Sequence, residues 1–366
     1  MNFRGWPTTS ILCALVFAPA CGDDGGTNGS TSGASTTSTP TSTSSVETSA
    51  GPVGATTDPT STTAMTTATS GSTGADSTGA GSATDSTGGD STGAMAKCQG
   101  AFAAAWIDGT NCGTEDAIQI HQYDDDTVIL RQSLCTNFEA PFIYLLFGDD
   151  QVLMLDTGAG GIPVAATVQQ IVDQWLAANG RASIEILVTN SHGHGDHTAG
   201  NAQMAAVPGA TVVGTSQSAV ASYFGIVDWP MQIVTHDLGG RLVDVIPIPG
   251  HQTAHVALYD HATGWLLTGD TLYPGRLYIS DFPTYVQSIN RLVDHTADLE
   301  VCHVLGTHIE MTNTPGQDFP FAAPTHPDEH PLELTRDHLV ELRDAVEAMG
   351  NNPVLQAHDD FIVYPL

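Results

Sequence analysis

Residues 22–96 have a composition that cannot support a hydrophobic core. Of these 75 residues, 36 are Ser or Thr and 14 are Gly, and the segment contains no Phe, Trp or Tyr. Such a segment buries too little apolar surface to offset the conformational entropy that folding removes. We therefore predict that residues 22–96 form a disordered linker. Residues 97–366 are numerous enough for a sizeable core and are predicted to fold as one domain.

Residues 1–21 have the features of a secretory signal peptide. Arg4 precedes an apolar run over residues 11–18 that is too short to span a membrane as a stable helix. The run ends in Ala18-Pro19-Ala20-Cys21-Gly22, which resembles the lipobox of bacterial lipoproteins. The resemblance implies a lipid on Cys21 and a protein of the bacterial cell envelope that contacts the membrane only through this anchor. The alternative is an ordinary signal peptide, which would give a soluble secreted or periplasmic protein.

The chain is strongly acidic. It contains nine Lys or Arg and 40 Asp or Glu, a net charge of -31, of which residues 97–366 carry -25. This balance argues against a nucleic-acid partner, because phosphate contacts need concentrated Lys and Arg. The expected partner is a small-molecule substrate. The sequence shows no repeat or periodic seam that would indicate an oligomeric state.

Four cysteines lie in the predicted domain: Cys98, Cys112, Cys135 and Cys302. An even number in an exported protein permits two disulfides with three possible pairings. We expect Cys98 to pair with Cys112, since both lie in the irregular start of the domain. Their spacing does not match a structural zinc site.

Strand-like and helix-like patterns alternate along residues 97–366. The apolar runs 142–147 and 151–155 flank Gly148-Asp149-Asp150 and predict a β-hairpin. Helical spacing of apolar residues over 162–178, followed by Asn179-Gly180, predicts a helix. Further strands are predicted at 184–189, 210–213, 242–248, 255–259, 265–268 and 301–305, and further helices at 217–224, 285–295 and 332–349. This alternation favours an α/β fold with layers of sheet and helix.

Four candidate metal ligands follow the predicted strand 184–189. They are His192, His194, Asp196 and His197, and glycines at 193 and 195 allow a tight backbone path between them. Imidazole nitrogen and carboxylate oxygen are donors that suit zinc and related divalent ions. The cluster therefore predicts a metal site at the end of this strand.

Five motifs, in this order, resemble the metallo-β-lactamase superfamily. They are Asp156-Thr157-Gly158, the segment His192 to His197, Pro249-Gly250-His251, Gly269-Asp270-Thr271 and Gly306-Thr307-His308. The resemblance covers most of residues 115–310 and implies a four-layered αββα sandwich with metals between its two sheets. It implies that one metal is bound by His192, His194 and His251. A second metal would be bound by Asp196, His197 and His308, with Asp270 bridging the two.

The cofactor implied by this resemblance is a pair of divalent ions, with zinc as the expected metal. Such a pair supplies a bridging hydroxide near neutral pH and polarises the oxygen of the group that is attacked. Asp196 would orient this hydroxide or accept its proton. The sequence therefore predicts a metal-dependent hydrolase.

The presence of both His197 and Asp270 resembles the glyoxalase II, lactonase and phosphodiesterase branches more than true β-lactamases. This resemblance implies an ester, lactone, thioester or related substrate. Tyr273 stands at the offset from Asp270 where lactonases of this fold carry a tyrosine that hydrogen-bonds the substrate carbonyl, which implies a catalytic role. Two alternatives stay open: a mononuclear sulfur dioxygenase of the same fold with one Fe²⁺, and a non-catalytic binding module tethered to the cell surface.

Three further features lie near these motifs. His255 is expected to pack near the ligands rather than to bind metal. Residues 325–330, Thr-His-Pro-Asp-Glu-His, are expected to form a loop beside the cleft rather than a third metal site. Arg276 and Tyr278 are candidates for contact with an anionic substrate, and the alternative for Arg276 is a structural ion pair.

Overall fold

A computed structural model describes residues 97–366 of the protein. Its strands are β1 (Ile118–Asp124), β2 (Thr127–Gln132), β3 (Phe142–Phe147), β4 (Gln151–Leu155), β5 (Glu185–Thr189), β6 (Ala210–Val212), β7 (Val234–Asp237), β8 (Leu242–Pro247), β9 (Val256–Asp260), β10 (Trp265–Gly269), β11 (Arg276–Ile279), β12 (His303–Gly306), β13 (Glu333–Leu334), β14 (Gln356–Ala357) and β15 (Ile362–Pro365). Its helices are α1 (Val164–Asn179), α2 (Gly195–Thr198), α3 (Asn201–Met204), α4 (Gln217–Phe224), α5 (Phe282–His295) and α6 (Arg336–Met349).

The described strands form two six-stranded sheets and one small sheet. The first sheet has the order β1-β2-β3-β4-β5-β6, and the second has the order β13-β12-β10-β9-β8-β7. A separate, small sheet has three strands in the order β11-β15-β14. Strands β4, β5 and β6 run parallel to one another, as do β10 and β12. Parallel neighbours end at the same edge of a sheet, and the loops that follow them are brought together there.

Two apolar clusters define four layers. The first cluster lies between the two large sheets and combines residues such as Leu153 of β4 and Leu258 of β9. The second cluster joins the opposite face of the second sheet to α5 and α6, with Ile289 and Leu342 fully buried. Helix α1 covers the outer face of the first sheet, where Trp175 stacks on Phe147 with ring centroids 4.9 Å apart. The predicted αββα sandwich is therefore confirmed.

Most predicted elements form close to their predicted bounds. The hairpin is confirmed, with Tyr144 of β3 opposite Leu155 of β4. Helix α5 begins at Phe282, three residues before its prediction, because Asp281 caps it by accepting a hydrogen bond from the Thr284 N–H. Helix α6 begins at Arg336 rather than at 332, because β13 pairs with β12 before the helix starts.

The predicted disulfide between Cys98 and Cys112 is wrong. Within residues 97–366, Cys98 is bonded to Cys302 and Cys112 to Cys135. The start of the domain lies against the second sheet, where Phe102 contacts Trp265 and His303 with ring centroids 5.8 and 5.0 Å away. This packing places Cys98 beside Cys302, just before β12, and separates it from Cys112. Nearness in sequence was a poor guide because long-range packing sets the pairing.

Three predictions fall on residues outside the described part of the chain: the signal peptide over 1–21, the lipid on Cys21 and the linker over 22–96. Among residues 97–366, no helix has both the length and the apolar character needed to cross a bilayer.

Candidate metal centre

Seven polar side chains converge where four strands of the two large sheets end. His192, His194, Asp196 and His197 follow β5 in the first sheet. His251, Asp270 and His308 follow β8, β10 and β12 in the second. These are the seven ligands predicted from the sequence, and their donor atoms form two groups that could each hold a metal ion. The arrangement lies at the cleft between the sheets.

The first group consists of His192, His194, His251 and Asp270. The Nδ1 atom of His194 lies 2.9 Å from Nε2 of His192 and 3.1 Å from Nε2 of His251. The Asp270 Oδ2 atom lies 3.6 Å from Nε2 of His192 and 3.6 Å from Nε2 of His251. Three nitrogens and one carboxylate oxygen therefore surround one point.

The second group consists of Asp196, His197, His308 and the same Asp270. Nε2 of His197 lies 3.0 Å from Asp196 Oδ2 and 3.3 Å from Asp270 Oδ2. Nε2 of His308 lies 3.3 Å from Asp196 Oδ2 and 3.4 Å from Asp270 Oδ1. Because Asp270 belongs to both groups, its carboxylate could be shared by two ions.

These spacings fit the geometry of a tetrahedral ion. Zinc bound at about 2.0–2.1 Å by nitrogen and oxygen needs donor atoms about 3.3–3.4 Å apart. The pairs of donor atoms given above are 2.9 to 3.6 Å apart, and all the donor atoms of each group lie within 4.8 Å of one another. The donors are also of the N and O types that divalent transition metals bind. The residues present therefore fit a pair of divalent ions.

The other imidazole nitrogens of two of these histidines face backbone carbonyl oxygens. Nδ1 of His251 lies 2.6 Å from the Tyr278 carbonyl oxygen, and Nδ1 of His308 lies 2.8 Å from the Glu139 carbonyl oxygen. Such acceptors hold the proton on Nδ1 and leave the lone pair of Nε2 directed at the cluster, as is typical of metal-binding histidines.

Asp156 supports the loop that carries four of the ligands. This buried residue follows β4 with a positive φ of 67°. Its Oδ1 accepts a hydrogen bond from the Ser191 N–H at 2.7 Å, and its Oδ2 lies 3.0 Å from Nδ1 of His197. The carboxylate therefore fixes both the start of the loop and the orientation of one ligand.

Burial and neighbouring charge shift the pKa values of the cluster. Burial holds the pKa of His192 well below its ordinary value and lowers that of His251, so both rings are neutral and offer a lone pair. Burial alone would raise the pKa of Asp270, but His197 and His308 outweigh it and hold that pKa well below its usual range. Asp270 is therefore a carboxylate and is available as a ligand.

Tyr273 lies beside the second group, with its ring centroid 5.5 Å from that of His308. The side chain is buried, and its hydroxyl donates to the carbonyl oxygen of Arg276 and lies 3.2 Å from Glu310 Oε2. A hydrogen bond to a substrate carbonyl would require the hydroxyl to leave Arg276. Its catalytic role stays a prediction.

Arg276 and His255 both have structural contacts near the site. Arg276 forms ion pairs with Glu310 at 3.2 Å and Asp318 at 2.7 Å, which matches the structural alternative. His255 is fully buried and stacks on His192 with ring centroids 4.6 Å apart, as its predicted packing role requires.

Residues 325–330 form a loop that an ion pair holds in place. Glu329 pairs with both terminal nitrogens of the fully buried Arg131 of β2, and His326 Nδ1 lies 3.2 Å from the same carboxylate. The His326 ring also stacks on Phe319 at 4.2 Å. Within residues 97–366, none of the groups that could hold a metal includes these residues.

The sequence reasoning missed Glu139. Its carbonyl oxygen orients His308, which lies 169 positions further along the chain. Burial raises the pKa of its carboxyl group, while the charge of His308 lowers it. Glu139 lies in an irregular segment between β2 and β3, so no local pattern pointed to it.

Comparisons with known proteins find several that are similar to this chain. A hydroxyacylglutathione hydrolase of Rhizobium meliloti is 30% identical over 188 residues, which are 47% of this chain and 69% of that protein. A hydroxyacylglutathione hydrolase of Chromohalobacter salexigens is 32% identical over 141 residues, and the chain spans half of its length. A solved metallo-beta-lactamase from Pontibacter korlensis aligns with a TM-score of 0.42 at 14% identity, over 63% of this chain and 99% of that one.

The described fold, the order of the five motifs and the two donor groups all match one family. The family model of the metallo-beta-lactamase superfamily matches residues 136–347, which include all seven candidate ligands. The chain therefore belongs to the metallo-β-lactamase superfamily.

Proposed function

We propose that this domain is a metal-dependent hydrolase that uses two divalent ions, most simply zinc, to cleave a thioester or a related ester or lactone. The observation that carries the proposal is the sharing of Asp270 between two complete donor groups. A protein that bound a single ion would need only the first group. The second group, Asp196, His197 and His308, is buried or half-buried in the same cleft.

The chain's own residues suit hydrolysis in a cleft that opens on one side. Two ions in these groups would supply a nucleophile from water near neutral pH and would polarise a substrate carbonyl. His194 is exposed and Asp196 is half-buried, whereas His192 and His197 are buried, so the cluster opens toward solvent at the first two residues. The Asp196 carboxylate lies at this opening, where it can orient an attacking water and accept its proton.

The relatives support a thioester as the first substrate class to test. Both are named for the hydrolysis of hydroxyacylglutathione, which is a thioester. Thioester, ester and lactone hydrolysis all pass through attack on a carbonyl carbon, so one metal pair can serve each of them.

The test measures metal content and turnover on the full-length protein. We expect about two zinc ions per chain and hydrolysis of a chromogenic thioester or lactone, with a phosphodiester as comparison. Asp270→Ala should lose both the metal and the activity, because Asp270 belongs to both groups. Asp173→Asn removes one charge from an exposed position on α1 and is the matched control.

Other outcomes would redirect the proposal. One iron per chain with oxygen uptake on a persulfide, and no hydrolysis, would identify the sulfur dioxygenase alternative. A protein that binds no divalent metal would be a tethered binding module, and the hydrolase proposal would be wrong.

We propose further that the protein is exported and attached to the cell envelope through a lipid on Cys21. The lipobox-like sequence and the Ser, Thr and Gly composition of the segment that follows support this location. In detergent partitioning, the intact protein should enter the detergent phase and Cys21→Ala should stay in the aqueous phase. Aqueous partitioning of the intact protein would contradict the anchor.

A further inference from the structure

Thr307 is a buried residue whose side chain contacts the carboxylate shared by the two donor groups. It follows Gly306 at the end of β12 and directly precedes His308. The residue is fully buried, and its hydroxyl is hydrogen-bonded to Oδ1 of Asp270. Because an ionised carboxylate can only accept, the hydroxyl is the donor. This contact adds a residue that is not one of the seven candidate ligands to the surroundings of Asp270.

The contact follows from the pairing of β10 with β12. Gly269 and Gly306 are partners in this parallel pair, so Asp270 and Thr307 leave the sheet next to each other. The two segments approach closely at Gly306, where a Cβ would lie 2.7 Å from the carbonyl oxygen of Leu272 and 2.9 Å from that of Gly269. A residue with a side chain at position 306 would therefore push the two segments apart and separate the hydroxyl from the carboxylate.

Thr307 is itself held by the first sheet. Its carbonyl oxygen accepts from the Phe142 N–H at 2.8 Å, and the Gly306 carbonyl oxygen accepts from the Tyr144 hydroxyl at 2.5 Å. Phe142 and Tyr144 belong to β3 of the first sheet, whereas β10 and β12 belong to the second. A β-branched side chain also has few χ1 rotamers. The position of the Thr307 hydroxyl is therefore fixed by both sheets.

The two oxygens of the Asp270 carboxylate have different surroundings. Oδ2 lies 3.6 Å from Nε2 of His251 in the first group and 3.3 Å from Nε2 of His197 in the second. Oδ1 lies 3.4 Å from Nε2 of His308 and accepts the hydrogen bond from Thr307. Oδ2 is therefore the oxygen that faces both groups, and the hydroxyl holds the other oxygen.

The torsion of the Asp270 side chain does not fix the plane of its carboxylate. The last torsion of an aspartate joins an sp³ carbon to an sp² carbon and has a broad profile, so the carboxylate rotates at little cost. A rotation would move Oδ2 away from at least one of the two donor groups. A hydrogen bond to Oδ1 from a fixed donor prevents this rotation.

We propose that Thr307 is a positioning residue, which orients Asp270 so that Oδ2 faces both donor groups and on whose hydroxyl the binding of both ions depends. The inference rests on the two-ion centre of the hydrolase proposed above. A purely local role of Thr307 would be different, because Thr307 is the neighbour of His308 and would then affect the second group alone.

The test measures zinc affinity of the full-length protein by competition with a chromophoric chelator, with zinc as the only added metal. Thr307→Val and Thr307→Ala both remove the hydroxyl, whereas Thr307→Ser keeps it. Thr296→Val is the matched control, since Thr296 is also fully buried and its hydroxyl donates to the Leu292 carbonyl oxygen of α5 instead of to a ligand. Circular dichroism identifies the variants that fold.

We expect loss of the Thr307 hydroxyl to lower the affinity for both ions by about 10- to 100-fold, as loss of a partner of a metal ligand does. Thr307→Ser and Thr296→Val should keep the affinity of the unaltered protein. The deciding measurement uses His308→Ala, in which only the first group is complete. Adding Thr307→Val or Thr307→Ala to this variant should still weaken the remaining ion by about tenfold or more.

The outcomes separate this inference from the hydrolase proposal. If the loss is confined to the second ion, or if the added substitution has no effect in His308→Ala, Thr307 supports only its neighbour and the inference is wrong, while the two-ion hydrolase stands. Equal losses in Thr307→Ser and Thr307→Val would also overturn it, because the hydroxyl would then not be the cause. If the unaltered protein binds no zinc, both proposals fail.

Discussion

Asp156 and His197 are joined by a hydrogen bond of 3.0 Å between Oδ2 and Nδ1, although neither group contacts solvent. The same carboxylate accepts the backbone N–H of Ser191, so one side chain links the end of β4 to the loop that follows β5. Because β4 and β5 are parallel neighbours, their ends meet, and Asp156 holds the ligand loop to the sheet.

The bond between Asp156 and His197 predicts a loss of metal affinity in Asp156→Asn. The amide can accept at only one of its two positions, so either the Ser191 N–H or Nδ1 of His197 loses the acceptor that orients it. We expect affinity for zinc to fall by about 10- to 100-fold, as measured by competition with a chromophoric chelator. Asp173→Asn on α1 is the control, and equal affinity in both variants would contradict the supporting role of Asp156.

Each donor group should lose its metal ion without loss of the ion in the other group. His251 belongs only to the first group and His308 only to the second. Native mass spectrometry should therefore count about one zinc in His251→Ala and in His308→Ala, against about two in the unaltered protein. Loss of both ions from either variant would show that the two groups do not bind independently.

Tyr273 can be tested by removing its hydroxyl alone. If this group donates to the substrate carbonyl, Tyr273→Phe should lower turnover of a lactone or ester by about tenfold or more, with KM changed less than kcat. The structure bonds the hydroxyl to Arg276 instead. Unchanged turnover together with a lower Tm would therefore show that Tyr273 stabilises the segment around Arg276, and it would rule out a catalytic role.

The two disulfides should differ in their contribution to stability. Cys98–Cys302 closes a loop of 204 residues, and Cys112–Cys135 closes one of 23. Because a longer closed loop restricts the unfolded chain more, replacing the first pair by serine should cost about 5 kcal/mol and the second about 3 kcal/mol. Urea denaturation of the zinc-loaded variants measures both, and an equal or reversed order would contradict this entropic account.

Asp244 should make part of the stability depend on acid pH. Burial alone would raise its pKa, but hydrogen bonds from His295, Thr235 and His261 lower the pKa to about 2. Because the folded pKa lies below the unfolded one, this stabilisation is complete above about pH 4 and is lost as the pH falls toward about 2.

Asp244→Asn should therefore lower the free energy of unfolding by about 1–2 kcal/mol near neutral pH, and the difference should shrink below about pH 4. Asp294→Asn, at an exposed position on α5, should show no such trend. A difference that stays constant down to the acid limit would rule out the link to Asp244 ionisation.

The local pattern of the sequence was enough to predict α1 and the strands β3 to β6, β8 to β10 and β12, but it did not predict β1, β2 or β7. It failed where distant segments pair. Residues 332–335 have a helical pattern, yet Glu333 and Leu334 pair with β12 and delay the start of α6. The small sheet was not predicted, because its strands are two to four residues long and β11 pairs with β15, near the end of the chain.

The sequence by itself determined the seven candidate ligands and their order. Each lies in a short motif directly after a strand, and the pattern of buried strands is local. The tertiary structure decided which groups meet across long distances: Cys98 with Cys302, Asp156 with His197, Glu139 with His308 and Arg131 with Glu329. These contacts depend on how two sheets stack and how loops cross their edges. Because many arrangements share the same local patterns, the packing of the whole core was needed to select one.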